Sequence, residues 1–171
     1  MKKNFLKFTS LFLLLGISAV TFTSCEDDEI TPETKKTVVD VIVNSNDHNT
    51  LEAAVVAANL TGTLSGIGPF TVFAPTDAAF ASLPAGTLEA LLADPSGQLT
   101  DILKYHVVAA NAMSSSLSDG QEITTLLGKN VTVTINNNGV FINDAKVTVA
   151  DIKADNGIVH VIDAVLIPTK K

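Results

Sequence analysis

The stretch "NGIVHVIDAVLIP" (Asn156 to Pro168) constrains this chain most. It is almost unbroken apolar sequence, rich in β-branched residues and only about a dozen residues long. A strand with one face in water alternates apolar and polar positions, and this one does not. The run therefore predicts a central strand buried on both faces, with layers packed above and below it. His160 shares parity with Ile158 and Ile162. A histidine on an apolar face predicts a hydrogen-bonded, neutral core residue.

The segments before it divide into helices early and strands late, which predicts an α+β fold. "TVVDVIVNS" reads as a short apolar turn or helix. In "HNTLEAAVVAANL", Leu51, Ala54, Val55 and Ala58 share one helical face, with Asn49 or Thr50 as the cap. Phe70 to Ala74 reads as a buried strand. Pro75 stops it, and Thr76 or Asp77 caps a short helix anchored by Phe80. Two further helices are broken at Pro95-Ser96-Gly97. Leu88, Leu91 and Leu92 make one apolar stripe; Leu99, Ile102 and Leu103 make the other. The chain then turns extended from Tyr105 to Val108.

"VTVTI" (Val131 to Ile135) alternates cleanly, and "NNNG" (Asn136 to Gly139) is a hairpin signal, since Asn and Gly tolerate positive φ. "VFI" and "AKVTVADI" follow as strands. Gly66-x-Gly68 precedes a strand instead of linking a strand to a helix, so it is not a nucleotide loop. No internal repeat is visible.

The first 37 residues are of a different kind. "MKKNFLKFTSLFLLLGISAVTFTSC" has a lysine-rich start, an apolar run from Leu11 to Val20, and small or hydroxyl residues before Cys25. Residues 1–24 read as a signal peptide, too short in its apolar part for a good membrane span. Cleavage by the ordinary signal peptidase would leave Cys25 incidental. However, "FTSC" resembles the lipobox of bacterial lipoproteins, with Phe22 where Leu is preferred. That resemblance implies a Cys25 carrying a thioether-linked diacylglycerol and an amide-linked acyl chain of the palmitate kind. One chain binds a membrane marginally, at about 0.8 kcal/mol per methylene, whereas two or three hold firmly. A sulfur spent on this bond needs no partner, and the chain has no second cysteine.

Glu26, Asp27, Asp28 and Glu29 follow directly and form a solvated charge run. Acids at this place resemble the export signal that sends lipoproteins of some Gram-negative lineages to the outer face of the outer membrane; the periplasmic face is the alternative. Residues 25–37 then read as an acidic, flexible tether, and residues 38–168 as the folded domain.

Charge narrows the partners. The chain has 171 residues, and its 11 basic residues are all lysine. Without Lys2, Lys3 and Lys7 of the leader, 8 lysines face 18 acids, a net charge of about −10. Nucleic-acid affinity comes from neutralising phosphates, so such a chain is a poor nucleic-acid binder. Anionic headgroups attract it no better.

Chemistry-bearing motifs are sparse. No His-Glu-x-x-His, cysteine cluster or EF-hand loop predicts a metal. Asp144, Asp151 and Asp155 lie near expected strand ends and read as turn residues. No Gly-x-Ser-x-Gly elbow appears, and nothing ties the polar loop "SSSLSDG" (Ser114 to Gly120) to a histidine. No catalytic residue and no cofactor is predicted. His48, in the polar stretch "NSNDHNT", reads as solvated.

Three segments together resemble one family. "TVFAPTDAAF" (Thr71 to Phe80), "ILKYHVV" (Ile102 to Val108) and "NGIVHVIDAVLIP" are similar to the signatures of fasciclin domains and occur in that family's order. The resemblance implies a β-wedge or sandwich with several short helices packed against it. It further implies a non-enzymatic adhesion or recognition module outside the cytoplasm. Tyr105 and His106 resemble a pair implicated in adhesion by animal members; a packing pair at a helix–strand junction is the plainer reading. The expectation is thus a lipid-anchored module for cell-surface or matrix contact, with a protein or glycan ligand, acting as a monomer or with weak self-association. A small-ligand carrier or receptor component in the envelope is the alternative.

Overall fold

In the computed structural model, the residues described are 36–84, 86–93 and 97–168. The expected signal peptide, Cys25 and Glu26 to Glu29 lie outside them, as do Pro95 and Ser96. Among them, six α-helices, one 3-10 helix and seven strands follow in order: α1 (Val38–Val43), α2 (Asn49–Ala57), α3 (Thr61–Leu64), β1 (Phe70–Pro75), α4 (Asp77–Ala81), α5 (Thr87–Ala93), α6 (Gln98–Tyr105), β2 (Val107–Val108), the 3-10 helix (Ser114–Ser116), β3 (Glu122–Thr124), β4 (Asn130–Asn136), β5 (Gly139–Ile142), β6 (Ala145–Ala154) and β7 (Gly157–Ile162).

The strands run β2-β1-β7-β6-β5-β4-β3 across one sheet. The apolar stretch singled out above is β7, and it lies inside the sheet. It pairs in parallel with β1, from Phe70↔Gly157 to Pro75↔Ile162, and antiparallel with β6. Ile158 to Ile162 are all buried. Two apolar clusters explain the unbroken hydrophobicity. Val72, Ala74 and Val159 point toward α1, α2 and α6, into a cluster with Leu51, Phe80 and Leu99. Phe73 and Ile162 point the other way, to Tyr105, Val131, Val133 and Ile142. Successive residues of a strand face opposite sides, so both sets must be apolar.

The backbone approaches itself most closely where β1 and β7 begin. A methyl group on Gly157 would lie 2.1 Å from the Phe70 carbonyl oxygen, and one on Gly68 would lie 1.9 Å from that of Asn156. Only glycine fits at either position. The Asn156 side chain closes the same corner. Its Oδ1 accepts from the Val38 amide, and its Nδ2 donates to the carbonyls of Leu64 and Gly66.

Several expectations need correction at the level of caps and ends. α1 forms as expected, with Thr37 and Asp40 in a reciprocal capping box. α2 is capped by neither Asn49 nor Thr50. The Asp77 carboxylate, from the start of α4, accepts from the amides of both residues. Thr76 caps α4, its hydroxyl accepting from the Ala79 amide. Asp77 therefore serves a helix 27 residues upstream, a contact no local pattern encodes. Its carboxyl is lowered to about 2, first by the Thr50 amide and then by the Asn49 side chain. Pro75 does not stop β1 but ends it from within, opposite Ile162. Tyr105 belongs to α6, not to an extended segment. Ile135 is exposed, unlike Val131 and Val133, because β4 outruns the core near its hairpin.

Phe80 is buried among the helices, as expected. Phe80→Ala removes an aromatic ring from a filled core and is expected to cost about 3–5 kcal/mol in urea unfolding. A loss under about 1 kcal/mol would show that this ring does not anchor the helical layer.

Candidate functional site

Tyr105 and His106 occupy the last turn and the cap of α6, where the helix meets β2. Both face inward, with 6% and 2% of their surface exposed. The Tyr105 hydroxyl donates to the Asn130 carbonyl at 2.9 Å and accepts from Asn143 Nδ2 at 3.1 Å. His106 Nε2 accepts from the Leu166 amide at 2.9 Å, so the proton sits on Nδ1, which donates to the Ile102 carbonyl at 2.8 Å. The pair thus ties α6 to β4, to the β5–β6 turn and to the segment after β7. In the folded domain neither side chain lies on the surface.

Burial of His106 pushes its pKa down to about 4, against a small upward pull from the Ile102 carbonyl. Protonation would also destroy the acceptor that holds Leu166.

The other two histidines are also interior. His160 is buried as expected and stacks on Phe73, ring centroids 5.9 Å apart. Its Nδ1 accepts from the Asp151 amide, and its Nε2 donates to the Ala112 carbonyl. His48, expected in solvent, is only 6% exposed. The loop between α1 and α2 folds inward, and Ser45 Oγ bonds Nδ1 at 2.7 Å. His48 Nε2 is buried without a hydrogen-bond partner. Burial lowers the pKa of His48 despite the neighbouring charges of Asp47 and Asp77.

Asp151 is not a turn residue. It sits inside β6 with φ of 59°, at the irregularity between Val149 and Ile152. The bulge aims its carboxylate at Ser114, accepting from both the amide and the hydroxyl. These bonds, the hydroxyl first, lower its pKa. Asp144 and Asp155 do occupy turns, after β5 and β6. Ser114, Asp151 and His160 stand together, but the serine hydroxyl bonds the aspartate and not the imidazole. The wiring secures residues 110–114 across the sheet and leaves the hydroxyl without an imidazole partner. Thr71 Oγ1, donating to the Ala110 carbonyl and accepting from the Ala112 amide, belongs to the same brace. Among the described residues no cluster of three metal-ligating side chains occurs.

A concavity lies elsewhere among the described residues. An open groove of about 580 Å³ runs between the loop before β1, the β6–β7 turn and the segment around Met113. Its floor includes Asn156 and Gly157, and Lys153 and Thr37 stand at its sides. Ile67 rises from its rim with 99% of its surface exposed, and Met113 is 42% exposed. Sequence reading passed over both. Ile67 lies between Gly66 and Gly68, a stretch weighed only as a nucleotide loop; its isolation from any apolar stripe was the available signal.

Comparison with known proteins fits this architecture. Residues 46–168 match the family model described as the fasciclin domain. The chain belongs to the fasciclin domain family. It is 45% identical over 133 residues to Protein sll1483 of Synechocystis, covering 77% of this chain and 73% of that one. It is 41% identical to the transforming growth factor-beta-induced protein ig-h3 of Oryctolagus cuniculus over 77% of this chain but 19% of that longer protein. With Immunogenic protein MPB70 of Mycobacterium bovis it shares 39% identity over 73% of this chain and 65% of that one. A solved FAS1 domain pair from the insect cell adhesion molecule Fasciclin I superposes with a TM-score of 0.70. It is 20% identical, covers 78% of this chain and 51% of that one, and shows the same fold.

The buried histidines give this fasciclin domain an acid-sensitive interior. The unfolded imidazole of His106 takes a proton below about 6.5 that the folded one refuses until about 4. Its contribution is therefore complete above pH 6.5 and is lost as pH falls from there toward 4, by about 3 kcal/mol. His48 acts in the same direction. Urea unfolding at pH 7.5 and pH 4.5 should show the loss, and His106→Gln should flatten it. Equal stability at both pH values would refute it.

Proposed function

We propose that this fasciclin domain is a lipid-anchored recognition module that makes cell-surface or matrix contacts outside the cytoplasm. Membership of the fasciclin family carries the reading. The described residues add physical support, because the polar groups best suited to chemistry are committed to holding the fold. All three histidines are buried, and Ser114, beside Asp151 and His160, bonds the aspartate. A protein built this way touches without reacting.

The anchor in this proposal is the Cys25 sulfur with its acyl chains, in the outer membrane of a Gram-negative bacterium. Glu26 to Glu29 direct display on the cell surface. The ligand is a protein or glycan on an opposing surface, and no nucleic acid or cofactor takes part. Tyr105 and His106 would act on adhesion only through the fold, since a partner cannot reach them. A domain of this size offers a small interface, so useful attachment comes from many copies on one membrane.

The small-ligand alternative has one observation in its favour. A groove of about 580 Å³ is within the size range of small-molecule sites. Its openness and its fully exposed rim suit a surface contact better than enclosure.

The test uses the full lipidated protein on beads at controlled density, presented to cells, extracellular matrix and glycan arrays. Binding should rise steeply with density and survive with lipid-anchored but not with dispersed protein. Failure at every density against all three surfaces would end the proposal. In the same assay, Tyr105→Ala with His106→Ala should lose binding together with cooperative unfolding. Lost binding with unchanged stability would return the pair to the role of a contact surface.

A further inference from the structure

Ile67 presents an unusual combination: it is an isoleucine almost wholly in solvent, on a short loop that is firmly held. Asn156 Nδ2 grips the Gly66 carbonyl at 2.9 Å, the Phe70 amide donates to the Asn156 carbonyl at 3.0 Å, and Gly68 packs against the same residue. Fixing an apolar side chain in water gives the fold nothing. Met113, across the groove, is a second exposed apolar residue there, and Lys153 and Asp155 are the charged ones in its lining.

The chain enters the folded domain beside this rim. The Lys36 amide donates to Asp155 Oδ2 at 2.6 Å, and the Asp155 amide donates to the Lys36 carbonyl at 2.8 Å. Thr37 lines the groove itself. The entry point is thus clamped to the β6–β7 turn. Cys25 lies 11 residues earlier in the sequence. Eleven residues reach at most roughly 40 Å even when fully extended. Whatever holds Cys25 therefore holds this end of the domain within that reach.

We infer that the Ile67–Met113 rim rests in the interface of the lipid bilayer that receives the Cys25 acyl chains. Ile67 and Met113 enter the headgroup–acyl boundary, while Lys153 and Lys36 reach the phosphates on their flexible stems. The occupant is zwitterionic lipid: the acidic chain discourages strongly anionic surfaces, and the rim sets two exposed apolar residues among charges of both signs, Lys153, Lys36 and Asp155. The opposite end of the sheet, at the β5–β6 turn, then points away from the membrane toward a partner. This inference rests on the lipid-anchor reading above.

The chain's lone cysteine makes the test direct. In lipidated protein Cys25 is blocked, so Ile67→Cys carries the one thiol free to take an environment-sensitive nitrobenzoxadiazole label. Asp144→Cys supplies the control. It sits in the exposed turn preceding β6, and that strand's ten residues separate it from the groove by roughly 30 Å. On phosphatidylcholine vesicles, label at position 67 should shift to the blue, brighten several-fold and be quenched by doxyl-labelled lipid; label at position 144 should do none of these. A second arm replaces Cys25 by Ser and holds the chain on nickel-chelating vesicles through an N-terminal histidine tag. Position 67 should respond there too, since the geometry and not the acyl chain brings it down. A water-like position 67 in the tagged arm overturns the docking. Mass spectrometry finding a lipid-free Cys25 overturns the anchoring instead, so the two failures are told apart. A shift at position 67 that needs high protein concentration and no vesicles overturns the docking in favour of contact between copies.

Discussion

The parallel pairing of β1 with β7 is the contact on which the rest depends. The two strands come from opposite ends of the domain, and they meet with their backbones so close that Gly68 and Gly157 have no substitutes. A parallel pair inside a sheet must be covered on both faces. The helices α1, α2 and α6 cover one, and the strands from β4 onward curl over to cover the other. The layered architecture is the consequence of sealing one strand pair from water.

Sealing has a cost at every polar group caught inside, and this domain meets it with long-range bonds. His160 and Thr71 hold the segment from Ala110 to Ala112, Asp151 holds Ser114, and His106 holds Leu166. Each joins parts of the chain that are distant in sequence. The imidazoles serve because a neutral ring has one donor and one acceptor, and can bridge two backbone segments at once. His106, the one histidine weighed as a contact residue, is thus a joint of the fold, as is His160.

Much of this was legible in the residues. The twofold burial of β7 followed from its lack of alternation. The inward face of α2 followed from Leu51, Ala54 and Val55, and the burial of His160 from its parity with Ile158 and Ile162. What failed were assignments that rest on contact across the fold. Asp77 stood beside Thr76 as an alternative local cap because capping is read within three residues; Thr76 caps α4 and Asp77 serves α2. His48 was placed in water because its neighbours are polar; the loop that carries it is folded inward. Asp151 passed for a turn acid because a bulge in the middle of a strand leaves no mark when the strand's pattern continues around it. The groove had no mark in the sequence, and the exposure of Ile67 had only a weak one, its isolation between two glycines from any apolar stripe.

The sequence by itself determined the helix faces, the strand order of hydrophobicity and the central place of β7, because periodicity records which sides of a segment must leave water. Only the tertiary structure decided which polar groups pair, which histidines lose contact with solvent and which apolar residue is left outside. Those outcomes depend on what the folded chain brings within about 3 Å, and no local pattern states that distance in advance.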